Sequence, residues 1–323
     1  MRKAVIATLM ALMLGGPAAA QEWPTRPISL VVPFPAGGPI DFIGRLMGQK
    51  LSEQLGQQVI VENVGGAGGM NGAARVAKSP PDGSMFLFGN QGTHTFSQLL
   101  YKKPQYNAVT DFAPVAVVVE NVKFLAVRKD LPAKNLPEFI AYAKANAKTM
   151  QYGSAGIGSA THVACVLLNY AIGVDITHVP YRGTGPALQD MLAGRIDYMC
   201  EVTSTGAPHV KADAIRALAI LSPERNAALP GVPTAHEQGL KDFDTDGWNA
   251  FFFPRGTPDA IVRKLARATS TVLDMPDVRE RLERAGLNVA LPQRRNPDYL
   301  GKLVASELDK WGPPVRASGI TVD

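Results

Sequence analysis

Ile28-Ser29-Leu30-Val31-Val32, followed by Pro33-Phe34-Pro35-Ala36-Gly37-Gly38-Pro39-Ile40-Asp41, is the stretch from which the fold can be read. The first five residues are an apolar, β-branched run that predicts a buried strand. Prolines and paired glycines stop it, and a helical pattern then opens near Asp41 and continues to about Leu55. Glycine lets the backbone turn its amide hydrogens toward one point, and the first turn of a helix leaves N–H groups unpaired at the positive end of its dipole. Such a bend suits an anion. Asp41 reads as the cap of this helix rather than as a catalytic acid. The bend does not match the G-x-x-x-x-G-K-[ST] phosphate loop, which argues against nucleotide binding.

The unit recurs along the chain. Strands are predicted over 58–62 and 85–88, separated by Gly65-Gly66-Ala67-Gly68-Gly69 and a small-residue helix over 71–78. Apolar runs over 115–119 and 123–127 read as strands crossing out of this first unit. A second alternation follows: a helix over 136–147 introduced by Asn135 and Pro137, a strand over 150–153, a glycine turn over 154–159 and a helix over 162–172. After these come a strand over 176–179, a helix over 184–193, and strands over 196–199 and 214–221. From about Phe243 the chain returns to the first unit through 248–253 and helices over 258–272, 276–285 and 297–311. Regular alternation of strand and helix predicts an α/β fold of mostly parallel sheets with helices on both faces. No low-complexity linker divides the halves, so two lobes joined by short crossing strands are expected, with a cleft between them. The lobes read as 21–124 with 243–323, and 125–242; closure would hinge at 123–127 and 242–246.

Arg2 and Lys3, the apolar run 4–14, and Ala18-Ala19-Ala20 give residues 1–20 the form of a secretory signal peptide cut after Ala20. The apolar run is shorter than the ~20 residues that span a bilayer. A periplasmic protein is expected. Losing Arg2 and Lys3 takes the 33 basic residues to 31 against 28 acidic, and the net charge from +5 to +3. The basic residues are scattered, so no nucleic-acid footprint is present. Cys165 and Cys200 are the two cysteines. In an oxidising compartment one structural disulfide is the expected arrangement, with two separate buried thiols as the alternative. The lack of a nearby histidine cluster argues against a metal site there.

A second bend, Gly153-Ser154-Ala155-Gly156-Ile157-Gly158-Ser159-Ala160-Thr161-His162, again lies between strand and helix. Its hydroxyls and amides are suited to a carboxylate; Ser154 and Ser159 read equally as turn and cap residues, and His162 as a hydrogen-bonded structural residue. An exported hydrolase using Ser154 or Ser159 with His162 is the competing class, weakened because no G-x-S-x-G elbow occurs in the chain. A third segment, Val179-Pro180-Tyr181-Arg182-Gly183-Thr184-Gly185-Pro186, opens another helix, with Thr184 read as its cap and Arg182 as a possible planar clamp for a carboxylate.

These segments together carry a resemblance. The mature chain resembles the tripartite tricarboxylate transporter family of periplasmic solute receptors, the Bug proteins. The matching stretches are Trp23-Pro24-Thr25-Arg26-Pro27-Ile28, Val32 to Gly38 with Asp41 and Arg45, Glu62-Asn63 with Gly66 to Gly69, Pro80-Pro81-Asp82-Gly83, Gly153 to Ser159 with His162, Val179 to Gly183, and Gly194-Arg195-Ile196-Asp197. The resemblance implies a two-lobed, type II-like binding protein, monomeric and without cofactor or metal. It would close on a small organic acid and offer it to membrane transporter subunits; a sensor presenting the acid to a membrane kinase is the alternative. The bends at Phe34, Pro35, Ala36, Gly37, Gly38 and Asp41 and at Ser154, Ala155, Gly156, Ser159 and His162 would hold a carboxylate. Further expected contacts are Asn90 and Thr93 after the third strand, Arg182 and Gly183, Glu201 and Thr203 at a strand end, and Trp248. Related sequences often carry an aspartate where this chain has Glu201.

Overall fold

The computed structural model describes residues 22–241, 243–319 and 321; the leader assigned to 1–20 and Asp242 of the second hinge segment lie outside them. The opening apolar run forms β1 (Ile28–Val32), and the helix after the bend is α1 (Pro39–Leu55). Ile40, Ile43, Leu46, Met47 and Leu51 recur at helical spacing and are buried, so one face of α1 packs on the sheet. The chain continues through β2 (Val59–Asn63), α2 (Met70–Ala77) and β3 (Met85–Asn90), then a π-helical segment (Gly92–Phe96) leading into α3 (Ser97–Leu100), and the long β4 (Phe112–Asn121). The second lobe holds β5 (Lys123–Arg128), α4 (Leu136–Asn146), β6 (Gln151–Ser154), α5 (Ala160–Ile172), β7 (Thr177–Pro180), α6 (Thr184–Leu192), β8 (Tyr198–Val202), α7 (Thr203–Lys211) and β9 (Ile215–Ile220). The chain then returns as β10 (Gly247–Pro254), α8 (Asp259–Leu273), α9 (Pro276–Arg284), β11 (Leu287–Val289) and α10 (Pro297–Ala317).

Two mixed sheets result. The first runs β11-β4-β10-β3-β1-β2, with β1 parallel to β2 and β3, and β10 antiparallel to β3 and β4. The second runs β7-β6-β8-β5-β9, with β6 parallel to β7 and β8, and β5 antiparallel to β8 and β9. The change of sheet falls at Val122, so Lys123 and Phe124 already belong to the second sheet, two residues before the expected boundary. Each lobe has its own core. In the first, Phe86 meets Phe251 edge-on at a ring-centroid distance of 5.2 Å and Phe253 at a tilt at 5.7 Å. In the second, Phe139 and Tyr198 meet at 5.1 Å, and Cys165 on α5 is bridged to Cys200 on β8 with a Cα separation of 5.4 Å. A smaller cluster joins the lobes: Phe96 and Leu100 near α3, Val163 and Leu167 of α5, and Trp311 and Val315 of α10.

The structure departs from the sequence reading at several elements, beginning with α3 and the π-helical turn before it, which were not read from the sequence. Helix α7, whose Thr203-Ser204-Thr205-Gly206-Ala207-Pro208 start has poor intrinsic propensity, forms because Gly206 lets it pack on Phe124, where a Cβ would fall 2.5 Å from the ring. Helix α10 continues past Trp311 through Pro313 and Pro314 as far as Ala317, with Val315 buried in the interlobe cluster. Finally, β11 is only three residues long and is held by pairing with β4.

Candidate functional site

The first bend hands the chain from β1 to α1. Gly38 is the N-cap and Pro39 follows in the first helical turn, where a missing N–H costs no helix bond. Asp41 is therefore inside the helix and not its cap. Its carboxylate reaches back: Oδ2 accepts from the Gly37 N–H at 2.9 Å and from Arg45 Nε at 2.9 Å, and Oδ1 accepts from Asn63 Nδ2 at 2.9 Å. Burial pushes its pKa up, but the bonds from Arg45, Gly37 and Asn63 outweigh that and hold the carboxyl below its ordinary value. Asp41 and Gly37 thus shape the bend from behind, while Phe34, Pro35, Ala36 and Gly38 line the cavity between the lobes.

The second bend joins β6 to α5. Ser159 is the N-cap, its Oγ accepting from the His162 N–H at 3.3 Å. Most amides of the glycine turn are consumed inside it. Ala155 N–H donates to Thr161 Oγ1 at 3.0 Å, Gly156 N–H to Ser154 Oγ at 3.1 Å, Gly158 N–H to His162 Nδ1 at 3.3 Å and Ser159 N–H to the Gly156 carbonyl at 3.1 Å. The amides left for a ligand are those of the first helical turn, at Ala160 and Thr161, and both residues line the cavity beside Ala155 and Ser159. Ser154 is fully buried with Oγ 2.7 Å from His178 Nε2, and the rings of His162 and His178 lie 4.1 Å apart against Tyr152. Burial lowers the pKa of His162 to about 3, with His178 adding to it, and that of His178 to about 4, so both rings are neutral. Ser154, Gly156 and His162 consequently brace the bend and do not reach the cavity wall. The same contacts leave no Ser154–His162 or Ser159–His162 side-chain pair of the kind a hydrolase needs.

The third segment supplies another helix start. Gly183 is the N-cap of α6, so Thr184 is a first-turn residue and not the expected cap; its Oγ1 is buried on the cavity wall without a partner among the described residues. Arg182 is exposed and lies off the wall. The three starts meet because the lobes touch. A Cβ on Gly183 would lie 3.2 Å from Pro35 Cδ, and one on Gly38 3.9 Å from Thr184 Oγ1. Gly68, at φ +62°, comes so close to the second bend that a Cβ would fall 2.2 Å from the Ile157 carbonyl oxygen, so any side chain there would push the lobes apart. The cavity between them offers about 60 Å³, space on the scale of several waters.

The rest of its lining comes from the crossing strands and their neighbours: Asn90, Asn121, Lys123, Val202, Asn249 and Leu287. Of these, only Asn90 was named from the sequence. Thr93 stands behind it, exchanging bonds with the Asn90 backbone at 2.9 Å and side chain at 3.0 Å, and so positions it. Glu201, expected to face the cleft, is fully buried with Oε1 accepting from Val202 N–H and Thr205 Oγ1; burial pushes its pKa up to about 7. It pairs with Phe124 across the strands, one position out of phase with Lys123, and therefore points to the opposite face of the sheet. Thr203 Oγ1 donates to the carbonyls of Val122 and Gly286, and Trp248 packs in the first-lobe core with Nε1 toward Glu307, so neither lines the cavity. The missed residues had a faint signal in the sequence: Lys123 and Asn249 are polar interruptions of otherwise apolar strands. Among the described residues no group of three His, Cys, Asp or Glu side chains is placed to hold a metal ion.

Two α/β lobes with helix starts from both converging on a cleft define a solute receptor of the periplasmic binding protein class. The chain belongs to the tripartite tricarboxylate transporter family of receptors, whose family model matches residues 43–320. A relative from Agrobacterium vitis, the UPF0065 protein in the TAR-I ttuE-ttuC' intergenic region, is 39% identical over 312 residues, covering 96% of this chain and 90% of the relative. The solved structure of the periplasmic binding protein BugD superposes with a TM-score of 0.89 at 35% identity, covering 93% of this chain and 99% of that one. MatC from Rhodopseudomonas palustris with bound malate superposes with a TM-score of 0.88 at 41% identity, covering 91% of this chain and 100% of that one.

Proposed function

We propose that this protein binds a small organic carboxylate in the interlobe cavity and presents it to the membrane subunits of a tripartite transporter. The observation that carries the reading is the convergence of three helix starts, at Gly38, Ser159 and Gly183, on one cavity. Each start contributes unpaired amides and the positive end of a helix dipole, which suit a small anionic group such as a carboxylate. Charge-assisted hydrogen bonds at ~1.5–3 kcal/mol each make four such contacts worth roughly 6–12 kcal/mol, against about 8 kcal/mol for micromolar affinity. The malate bound by MatC is in keeping with this chemistry. Export of the chain by the leader at 1–20 belongs to the same reading.

A thermal-shift screen of organic acids, each beside its amide analogue, tests it. A ligand at a hundredfold excess over its Kd adds about 2.7 kcal/mol to the folded state, which moves the melting temperature by several degrees. Acids are expected to produce the shift and amides to lose it. Stabilisation by neutral sugars with none from acids would overturn the reading.

A further inference from the structure

The cavity carries a charge that the three helix starts do not explain. Lys123 opens β5 where the chain crosses between sheets, and its side chain is 1% exposed yet lines the cavity beside Asn121 and Asn249. Its ammonium donates to the Thr245 carbonyl on the other crossing segment, which takes one of its three N–H groups. Among the described residues no carboxylate forms an ion pair with it, and those that act on it do so from farther away: Asp246, Asp244 and Glu307.

Each of these three is engaged elsewhere. Asp246 accepts from Ser222 Oγ and is itself raised to about 6 by burial, with Asp244 adding to the rise. Asp244 accepts from the Asp246 N–H and meets Lys310 at 3.8 Å. Glu307 Oε2 accepts from Gln91 Nε2 at 2.7 Å, Trp311 Nε1 at 3.0 Å and Trp248 Nε1 at 3.4 Å. A buried cation without a counterion is costly, and burial lowers the Lys123 pKa to about 8, which still leaves it protonated at neutral pH. Beside it, Asn249 is fully buried with its Oδ1 accepting from Asn121, and its Nδ2 has no acceptor among the described residues. The Lys123 ammonium and Asn249 Nδ2 are thus two donors on this wall with capacity to spare.

We infer that Lys123 is a specificity-determining residue: with the Asn249 amide it receives a second anionic group on the crossing-strand side of the cavity, so that the preferred solute is a dicarboxylate and not a monocarboxylate. This rests on the carboxylate reading above and adds to it the residue that selects ligand charge. Its conservative partner, Lys123→Arg, keeps the charge.

The test is titration calorimetry at pH 7 on the full chain with succinate, malate, glutarate and adipate, each beside its monoamide. The best diacid is expected to bind at least tenfold more tightly than its monoamide. Lys123→Met should close that gap, bringing the diacid down to the affinity of its monoamide. A wild-type protein that binds diacid and monoamide equally, or a Lys123→Met variant that keeps the gap, would overturn the inference and leave the carboxylate reading standing. If neither acids nor monoamides bind, both fall together. Should Lys123→Met not fold, the wild type alone decides. At pH 8.5 diacid binding should draw a proton onto Lys123, seen as heat that varies with buffer ionisation enthalpy, and monoamide binding should not; equal heats across buffers overturn the inference.

Discussion

In the first lobe the bend that faces the cleft is braced by charge: the Asp41 carboxylate is tied to the Gly37 amide, Arg45 and Asn63 within one hydrogen bond each. In the second lobe the corresponding bend is braced by neutral groups: hydroxyls of Ser154, Ser159 and Thr161 and the stacked rings of His162, His178 and Tyr152. The second lobe also carries the Cys165–Cys200 bridge, which ties the helix after its bend to the strand beside it. One geometric task, aiming a helix start into the cavity, is thus met by two chemistries, and they differ in what disrupts them. An ion-paired carboxylate fails only in strong acid, whereas a pair of buried imidazoles fails as soon as the solvent can charge them.

The largest expected effect comes from removing the staple. A bridge closing a 35-residue separation stabilises by about 3–4 kcal/mol on loop entropy. Replacing Cys165 and Cys200 together by alanine should cost about that much in denaturant unfolding, and should speed amide exchange in α5 and β8 while β1 and β3 keep their protection. Equal loss of protection in both lobes would show that they unfold as one unit, and the comparison would fail. Next in size is Asp41→Ala, which takes the acceptor from the Gly37 amide and the ion pair from Arg45, and leaves Asn63 Nδ2 only the Phe34 carbonyl. A cost of about 1–2 kcal/mol follows for the lost charge-assisted bonds, since the freed groups can reach water. Carboxylate affinity should drop at least tenfold, because the bend that carries Gly38 loses its brace. Unchanged affinity in calorimetry would mean that the Pro35-Ala36-Gly37 backbone holds its shape unaided.

Acid separates the two bends. His162 and His178 have folded pKa values of about 3 and about 4, below the ordinary value of 6.5, so their contribution is complete above pH 6.5 and is lost as pH falls from there toward 4. Each can remove up to about 1.4 kcal/mol per pH unit. Buried His94 in the first lobe, lowered to about 3, adds a third such slope. Asp41, held below 3.8, keeps its contribution until the pH falls under that value. Urea midpoints measured between pH 6.5 and 4.5 should therefore fall less steeply in His178→Gln, by one group's share, and as steeply as wild type in Asp41→Asn. The reverse order would assign the acid sensitivity to the first bend.

Much of the architecture was legible because it is written in strong local signals. The run Ile28 to Val32, the bend Pro33 to Gly38 and the helical spacing from Ile40 to Leu51 need no tertiary information to be read, and the second bend repeats them. The two cysteines are bridged, as an oxidising compartment favours. What sequence could not show is direction. Whether Glu201 or Lys123 faces the cleft depends on strand phase, and a shift of one residue exchanges the faces. Nor could it show which amides of a glycine turn are consumed: Ala155 and Gly156 looked available until Thr161 and Ser154 were seen to accept from them. Helix α7 was hidden for a related reason, since its small polar residues are helical only against Phe124.

The smallest effect is also the sharpest contrast between the lobes, since one kind of substitution should act with opposite signs. Asp41 and Glu201 are both buried carboxylates. Asp41 has a partner for each oxygen, while Glu201 Oε2 has none among the described residues. Burial accordingly lifts Glu201 to about 7, above the ordinary 4.5. A carboxyl raised in the folded state contributes fully below its unfolded pKa and loses that contribution as pH rises toward the folded value, so Glu201 weakens the protein most above pH 7. Glu201→Gln removes the ionisable group at nearly constant shape. Its new amide donor still lacks an acceptor, but a neutral unpaired group costs less than an unpaired charge. The variant should gain about 1 kcal/mol at pH 8 and almost nothing at pH 4.5, while Asp41→Asn should lose stability at pH 8. If Glu201→Gln destabilises at pH 8 as Asp41→Asn does, Glu201 is held by a counter-charge after all, and the second lobe is braced by charge in the same way as the first.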